Sequence, residues 1–152
     1  MCIRDSYDAL LEKHKALGLG EGVRFTGFIS DEDMIAYLST ADIGAAPDDD
    51  NPLNNISTMI KTMDYMAMGL PVVSFDLVES RYSAATAAVY AEAHSAEAFG
   101  DEIIALCDDP ERRAVMARAG QERISGPLSW AQSEKQLIAA YNRARANCET
   151  SR

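Results

Sequence analysis

The sequence predicts an α/β protein with a Rossmann-like, doubly wound parallel sheet followed by C-terminal helices. Its most informative stretch, STMIKTMDYMAMGLPVVSFD at positions 57–76, joins a helix pattern to a Gly-Pro break and a short apolar strand. Strand and helix patterns then alternate along the chain, which is typical of a parallel sheet. The candidate central strand is apolar at nearly every position, as expected when helices cover both faces of the sheet.

The first half of the chain contains two predicted helices and two predicted strands. Leucines at helical spacing predict a helix over 7–17, and three glycines follow it. Residues 23–29 are predicted as a strand. Ser30 is expected to begin a helix through Thr40, because acidic residues fill its first turn. A short strand at 43–46 then leads into a loop at 47–55 rich in Asp, Asn and Pro.

The stretch at 57–76 has a buried face and a polar face. Met59, Met63 and Met66 recur at helical spacing, which places Lys61 and Asp64 one turn apart on another face. Gly69 suits a left-handed helix end, and Pro71 prevents continuation. The β-branched and aromatic residues at 72–75 predict a central parallel strand.

The remainder is predicted to be a last strand and three helices. Residues 88–91 have strand character, and Ser95 is expected to cap the next helix. Asp109 with Pro110 suits the start of a helix through Ile124. Ser129 and Gln132 predict a capping box for a helix that ends at Ala146, and its apolar stripe runs from Trp130 to Tyr141.

Composition limits the function classes. The 152 residues suffice for one domain, expected over 7–146, with a non-native leader at 1–6 and a disordered tail at 147–152. Twenty-four acidic against 14 basic residues give a net charge of -10, which argues against a nucleic-acid partner. Three widely spaced cysteines and the lack of a long apolar run favour a cytoplasmic protein.

Several segments together carry a resemblance to a known family. MDYMAMGLPVVSFD, with VRFTGF before it and DDPERRAVMARAG and LSW after it, resembles the C-terminal, nucleotide-sugar-binding domain of a GT-B fold glycosyltransferase of retaining family 4. The similarity runs from Val23 to Tyr141. That family has two Rossmann-like domains with the reaction in the cleft between them. The resemblance therefore implies an N-terminally truncated fragment that lacks its acceptor domain.

The polar groups at the start of the Met-rich helix are the candidate site. The free backbone donors from Ile56 to Met59 would face the crevice at the strand ends, where helix starts favour anions. Lys61 suits phosphate oxygens and Asp64 suits paired hydroxyls such as those of a ribose. From the spacing alone, an ordinary helix capped by Ser57, with two solvated or mutually paired charges, remains open.

The resemblance assigns roles to individual positions. Asp64 occupies the place of the carboxylate that holds the donor ribose, whereas Ile56 stands where family members carry a Glu that contacts the transferred sugar. Gly27 and Phe28 match the region that receives the nucleobase. No metal and no cofactor besides the donor sugar nucleotide are implied. The predicted donor-binding residues are Gly27, Phe28, Asn55, Ile56, Ser57, Thr58, Met59 and Asp64, with Lys61 and Asp64 as the catalytic pair.

Three alternatives remain open on the sequence. The acidic run at 48–50 could hold a metal ion, although a solvated loop explains it better because successive side chains point in different directions. The chain could also be a non-catalytic nucleotide-binding or interaction domain, or an epimerase of the same fold.

The predicted partners are a nucleotide-sugar and the missing acceptor domain, with peripheral membrane association of the full-length enzyme and self-association through the last helix.

Overall fold

The computed structural model describes residues 3–150 of the chain, with side chains from Tyr7 to Cys148. By its internal contacts the chain divides into two compact units, one up to Tyr37 and one from Leu38 onwards. The prediction of one domain over 7–146 stays a prediction. The helices and strands are α1 Ile3–Ala16, α2 Asp31–Thr40, β1 Gly44–Ala46, α3 Ile60–Ala67, β2 Val72–Phe75, α4 Val78–Ala84, β3 Ala88–Ala91, α5 Ala96–Cys107, α6 Pro110–Ser125 and α7 Trp130–Thr150.

The first unit consists of α1, a short 3₁₀ turn at Gly20–Gly22 and most of α2. Ser30 caps α2 as predicted, because its hydroxyl accepts the Asp33 N–H at 3.1 Å. Helix α1 begins at Ile3, so the described part of the leader is helical although it has no helix pattern of its own. Adding a residue to an existing helix forms one more backbone hydrogen bond, so a helix extends beyond its apolar pattern at little cost.

The strand predicted at 23–29 is not formed. These residues are bent or have no regular secondary structure, and among the described residues of the first unit no segment is a strand. A strand exists only through hydrogen bonds to a neighbouring strand, and a sequence pattern alone cannot supply that neighbour.

The second unit contains a three-stranded parallel sheet in the order β1-β2-β3. Gly44 is level with Val72, and Val72 is level with Ala88. The strands lie where the sequence predicted them, and their parallel pairing confirms the α/β class. Connections between parallel strands must cross over, which is why α3 and α4 separate the three strands.

Successive residues of β2 face opposite sides of the sheet, and helices cover both sides. Val72 packs in one core cluster with Met66 of α3, whereas Val73 and Phe75 pack in another with Phe99 and other residues of α5 and α6. All four residues of β2 are buried. The doubly wound arrangement predicted from this largely apolar strand is therefore confirmed.

Helix α3 is fixed against β1 and α6 by two close approaches. The ring of Tyr65 lies over Gly44 of β1, and Met66 lies against Gly120 of α6, where an added Cβ would be 3.1 Å from the Met66 Cγ. Gly69 ends α3 with a positive φ of +73°, as the sequence predicted. The buried face of α3 thus sets the direction of the opposite, polar face of this helix.

The sequence predicted N-caps for the three helices in the C-terminal part of the chain, and two of these caps are present. The side chain of Ser95 accepts the Ala98 N–H, and that of Asp109 accepts the Arg112 N–H. The capping box is wrong, because the Ser129 hydroxyl instead donates to the Gly126 carbonyl at 2.8 Å.

Helix α7 passes its predicted end at Ala146 and continues to Thr150. The residues from 147 to 150 include no proline or glycine that would stop a helix, and the disordered tail stays a prediction. Residues 151–152 lie outside the described part. Within that part, no helix combines the length and hydropathy needed to cross a bilayer.

Candidate functional site

The polar start of α3 lies at the carboxyl edge of the sheet. Because β1 and β2 are parallel, α3 must run antiparallel to them, so its first turn returns from the edge where β1 ends. In open α/β sheets this edge is where ligands bind. Lys61 and the loop before α3 therefore lie at an edge where a ligand could bind, and their role stays a prediction.

Several backbone N–H groups at this helix start have no acceptor. Ile56 is not one of them, because its N–H donates to the Leu53 carbonyl at 3.1 Å, which corrects the predicted set. Within the described residues, the N–H groups of Ser57, Thr58 and Met59 have no acceptor. The first N–H groups of any helix are likewise free, so the unpaired donors continue into α3.

The helix start also excludes the role of Ser57 as an ordinary cap. Helix α3 begins at Ile60, its N-cap position is Met59, and no side chain accepts a hydrogen bond there. An uncapped start leaves its donors available to a ligand. The sequence suggested Ser57 because serine is a common cap, and only the fold shows that the helix starts later.

Lys61 is paired with a carboxylate from the end of β1. Its Nζ lies 2.6 Å from Asp48 Oδ1, and the side chains are 41% and 16% exposed. Lys61 does not pair with Asp64, so that alternative is wrong. An ammonium group has three donors, and one salt bridge leaves two for a ligand. Asp48 therefore orients Lys61 without saturating it.

Asp64 is half-buried, and its carboxylate has no hydrogen bond or ion pair with any described residue. It lies close to Tyr65, whose hydroxyl donates to the Ala45 carbonyl of β1 at 3.3 Å. Burial raises the pKa of Tyr65, and the charges of Asp48 and Asp64 raise it further. The two carboxylates thus gather around one helix turn, and that of Asp64 is free to accept hydrogen bonds.

The loop before α3 is folded by its asparagines. Asn55 accepts the Val78 N–H of α4 at 3.0 Å, and its side-chain amide donates to the Asn51 carbonyl and to Asp50. Both donors of this side chain are therefore engaged, and its predicted ligand role stays a prediction. Ile56 is 78% exposed, and its side chain has no hydrogen-bonding group.

The acidic run at 48–50 does not converge on one point. Asp48 pairs with Lys61, and Asp50 accepts a hydrogen bond from Asn55. Among the described residues, no group of three or more His, Cys, Asp or Glu side chains is arranged to hold a metal ion. These contacts account for two of the three acids as parts of the loop.

A second polar group follows β2, and the sequence did not assign it a role. Glu79 accepts hydrogen bonds from Thr58 at 2.6 Å and from Ser83 at 2.8 Å. Arg81 forms an ion pair with Asp76 through two of its nitrogen atoms. The hydrogen bond from Arg81 lowers the pKa of Asp76. The signal was only that these residues follow a strand end, because Thr58, the partner that ties Glu79 to the start of α3, lies 21 residues away in the sequence.

The far end of α4 is held by two side chains. Tyr90 of β3 donates to the Ala85 carbonyl at 2.9 Å, and Arg123 of α6 donates to the Ser83 and Tyr82 carbonyls. Ala85 has a positive φ of 47°, which is rare for a residue with a side chain. Such a conformation persists only when its surroundings impose it, so α4 is rigidly placed.

The comparisons with known proteins identify the family and the fold. Residues 4–109 match the family model described as "Glycosyl transferases group 1". The chain belongs to this glycosyltransferase family. Its sheet and helices match a sucrose-phosphate synthase structure from Thermosynechococcus elongatus with a TM-score of 0.82 at 20% identity, over 94% of this chain and 35% of that one. The GT-B fold predicted from the resemblance is confirmed.

Curated relatives from bacteria show the same partial coverage. The chain is 28% identical over 145 residues to D-inositol 3-phosphate glycosyltransferase of Corynebacterium glutamicum (strain R), which covers 94% of this chain and 32% of that protein. The same named enzyme from Salinispora tropica is 29% identical over 93% of the chain and 28% of that protein. A GDP-mannose-dependent mannosyltransferase of Corynebacterium glutamicum is 30% identical, over 82% and 33%. The chain thus spans about a third of these glycosyltransferases.

Gly27 and Phe28 belong to the first unit, whereas the other predicted site residues belong to the second. Gly27 has a φ of +65°, and a Cβ there would meet no atom within 4 Å. Phe28 is fully exposed. Both are thus open to a ligand, but their role at the nucleobase in this glycosyltransferase stays a prediction.

We expect Tyr90 of this family member to ionise at unusually high pH. Burial raises the pKa of Tyr90 to about 12, against an ordinary value near 10. Because the folded value is the higher one, this contribution to stability is complete below pH of about 10 and is lost as pH rises through about 12. Titrating tyrosinate absorbance should show a step near pH 12 that disappears in Tyr90→Phe. A variant with the same titration curve as the wild type would contradict this expectation.

Proposed function

We propose that this chain binds the donor of a retaining family 4 glycosyltransferase that transfers a sugar from a nucleotide diphosphate to a carbohydrate or lipid-linked acceptor. The observation that carries the proposal is the uncapped start of α3, where the unpaired N–H groups of Ser57–Met59 are joined by the ammonium of Lys61. Family membership supports glycosyl transfer. The donor class and the stereochemistry are part of the proposal.

The diphosphate would lie against the start of α3. Backbone N–H groups and the positive end of the helix dipole attract anions, and each hydrogen bond to a charged group contributes about 1.5–3 kcal/mol. Lys61 has two donors left beside its bond to Asp48 and would bind a terminal phosphate oxygen. The net charge of -10 makes this local concentration of donors more significant, because the rest of the chain repels anions.

Asp64 would hold the ribose. Its carboxylate is half-buried, lies one turn beyond Lys61 and has no partner among the described residues. A carboxylate accepts two hydrogen bonds from neighbouring hydroxyls, as a ribose presents them. The resemblance places the ribose-binding acid of the family at this position.

In the proposed reaction, the bond between the anomeric carbon and the diphosphate oxygen breaks while the acceptor oxygen bonds to that carbon from the same face. The acceptor hydroxyl loses its proton to an oxygen of the departing diphosphate. The protein contributes by positioning both substrates and by stabilising the charge on the leaving group. We assign that stabilisation in this chain to Lys61 and the donors of Ser57–Met59.

The other substrate and the setting are also proposals. The chain spans about a third of its relatives, so we propose that the acceptor is bound by residues outside it and that these 152 residues alone do not catalyse transfer. We further propose a cytoplasmic enzyme that needs no metal or cofactor and associates peripherally with a membrane when complete. The exposed stripe from Trp130 to Tyr141 on α7 supports association with another protein surface.

Nucleotide titration tests the proposal. Uridine or guanosine diphosphate should raise the melting temperature of the wild-type chain, and isothermal titration should give the dissociation constant. Lys61→Ala should weaken binding by about 10- to 100-fold, because it removes a charged hydrogen bond. Asp64→Asn should weaken binding of the same nucleotides, but not of their 2′,3′-dideoxy forms.

Matched surface changes serve as controls. Lys135→Ala on α7 and Asp101→Asn on α5 remove the same charges from exposed sites and should leave binding unchanged. No response of the wild type to any nucleoside diphosphate would contradict the proposal and favour the non-catalytic interaction domain. Equal losses in Lys61→Ala and Lys135→Ala would show that only overall charge matters.

A further inference from the structure

Glu79 brings a further carboxylate to the start of α3, and the proposed function does not use it. It stands in the first turn of α4, twenty-one residues from Thr58, yet its Oε1 accepts the Thr58 hydroxyl hydrogen at 2.6 Å. Thr58 carries one of the unpaired N–H groups that precede α3. A carboxylate is therefore held next to the proposed diphosphate position by a residue of that same position.

Half of this carboxylate remains available. The hydrogen bonds from Thr58 and from Ser83 both end on Oε1, and Oε2 has no partner among the described residues. An ionised carboxylate accepts about four hydrogen bonds, so Glu79 retains acceptor capacity. It borders a crevice lined by Ser57, Met59, Thr62, Glu79, Ser80 and Ser83. The crevice is too narrow for a water molecule, so a ligand would lie across its mouth.

The position of Glu79 is fixed from several sides. Ser83, which donates to it, is buried, and the Ser83 carbonyl accepts a hydrogen bond from Arg123 of α6 at 2.9 Å. At the other end of α4, Val78 donates to Asn55 of the loop before α3. A preorganised acceptor loses little freedom when a ligand binds, which makes it effective.

We propose that Glu79 accepts a hydrogen bond from a hydroxyl of the sugar that the diphosphate carries. This inference rests on the proposed function, because the start of α3 must hold the diphosphate. A donor has hydroxyl groups on both sides of its diphosphate, on the ribose and on the transferred sugar. Because Lys61 engages Asp48, we assign these hydroxyl groups to the other two acids beside this helix start, Asp64 on α3 and Glu79 on α4. With Asp64 at the ribose, Glu79 faces the transferred sugar.

The loop before α3 supports this assignment by its composition. Ile56 is exposed there and cannot accept a hydrogen bond, and the nearby Asp48 and Asp50 are engaged by Lys61 and Asn55. Sugar hydroxyls need acceptors that are not already saturated. Glu79 contacts this loop through Thr58, and its Oε2 has no partner among the described residues.

The test compares each nucleotide diphosphate with its sugar nucleotide. Isothermal titration of the same chain uses uridine diphosphate, its glucose conjugate, guanosine diphosphate and its mannose conjugate. The wild type should bind at least one conjugate more tightly than the matching diphosphate. Glu79→Gln should reduce that preference by about 10-fold or more, because it removes a charged acceptor. Binding of the bare diphosphate should be equal or tighter, because a negative charge near the phosphates is lost.

Two control variants separate ligand contact from a structural role. Glutamine keeps an acceptor for Thr58 and Ser83, whereas Thr58→Val removes one of these bonds and leaves the carboxylate in place. If Glu79 acted only as a structural link, Glu79→Gln and Thr58→Val would each weaken binding of the diphosphate and of its conjugate equally. Glu97→Gln, an exposed acid in the first turn of α5, should change neither.

The outcomes distinguish this proposal from the one on which it rests. A wild type that binds diphosphates but does not prefer any conjugate overturns the role of Glu79 alone. The same holds if Glu79→Gln keeps the full preference. A wild type that binds none of the four nucleotides overturns both proposals.

Discussion

Replacing Met66 by alanine should lower the free energy of unfolding by about 2–5 kcal/mol. Met66 is completely buried in the cluster between α3, the sheet and α6, where it lies against Gly120. Its truncation leaves a cavity that the close contact with a glycine backbone cannot easily fill. Because a domain of this size has a net stability of only about 5–15 kcal/mol, the loss is a large fraction of the total.

Ile60→Ala is the matched control for this change. Ile60 is the first residue of the same helix and is 76% exposed, so its truncation should change stability by no more than about 0.5 kcal/mol. Urea denaturation followed by circular dichroism measures both variants. Similar midpoints for the two variants would mean that α3 is not anchored through Met66.

Gly44→Ala should destabilise the protein by about 1–3 kcal/mol through overpacking. A Cβ at Gly44 would stand 2.4 Å from Tyr65 Cδ2 and 3.0 Å from Tyr65 Cβ. The clash reaches the base of the side chain, so a rotation of the ring alone cannot relieve it. Relief requires α3 to shift relative to β1, and this shift would also move Lys61 away from Asp48.

A double-mutant cycle with Tyr65→Ala identifies the cause. Removing the ring creates space, so Gly44→Ala should lower the free energy of unfolding much less in the Tyr65→Ala background than in the wild type. Gly100→Ala is the control, because a Cβ there meets nothing within 4 Å and Gly100 lies inside α5. That variant should be more stable by about 0.5–1 kcal/mol. Additive losses at Gly44 and Tyr65 would contradict the overpacking explanation.

Met66→Ala and Gly44→Ala both act on the contacts that hold α3, the helix that carries the proposed donor-binding residues. Met66 and Tyr65 fix α3 from its buried side, and Lys61 and Asp64 project from other parts of the same helix. Nucleotide binding should therefore weaken in Gly44→Ala together with stability. In Ile60→Ala, neither nucleotide binding nor the free energy of unfolding should change by much.

Much of the fold followed from local patterns. The strands at 72–75 and 88–91, the caps Ser95 and Asp109 and the left-handed Gly69 all lie where short-range rules place them. Each of these features depends on neighbours within a few residues, which the sequence displays directly. The segment at 23–29 has an equally good strand pattern and forms no strand, because pairing requires a partner elsewhere.

The sequence by itself determined the α/β class, the family and the placing of Lys61 and Asp64 on the helix between β1 and β2. Only the tertiary structure decided which groups meet there: Asp48 rather than Asp64 pairs with Lys61, Met59 rather than Ser57 precedes the helix, and Glu79 contacts Thr58. Helical and strand periodicity arise from backbone geometry that repeats within a few residues. Contacts between a loop, a strand end and a later helix arise only when packing brings distant segments together.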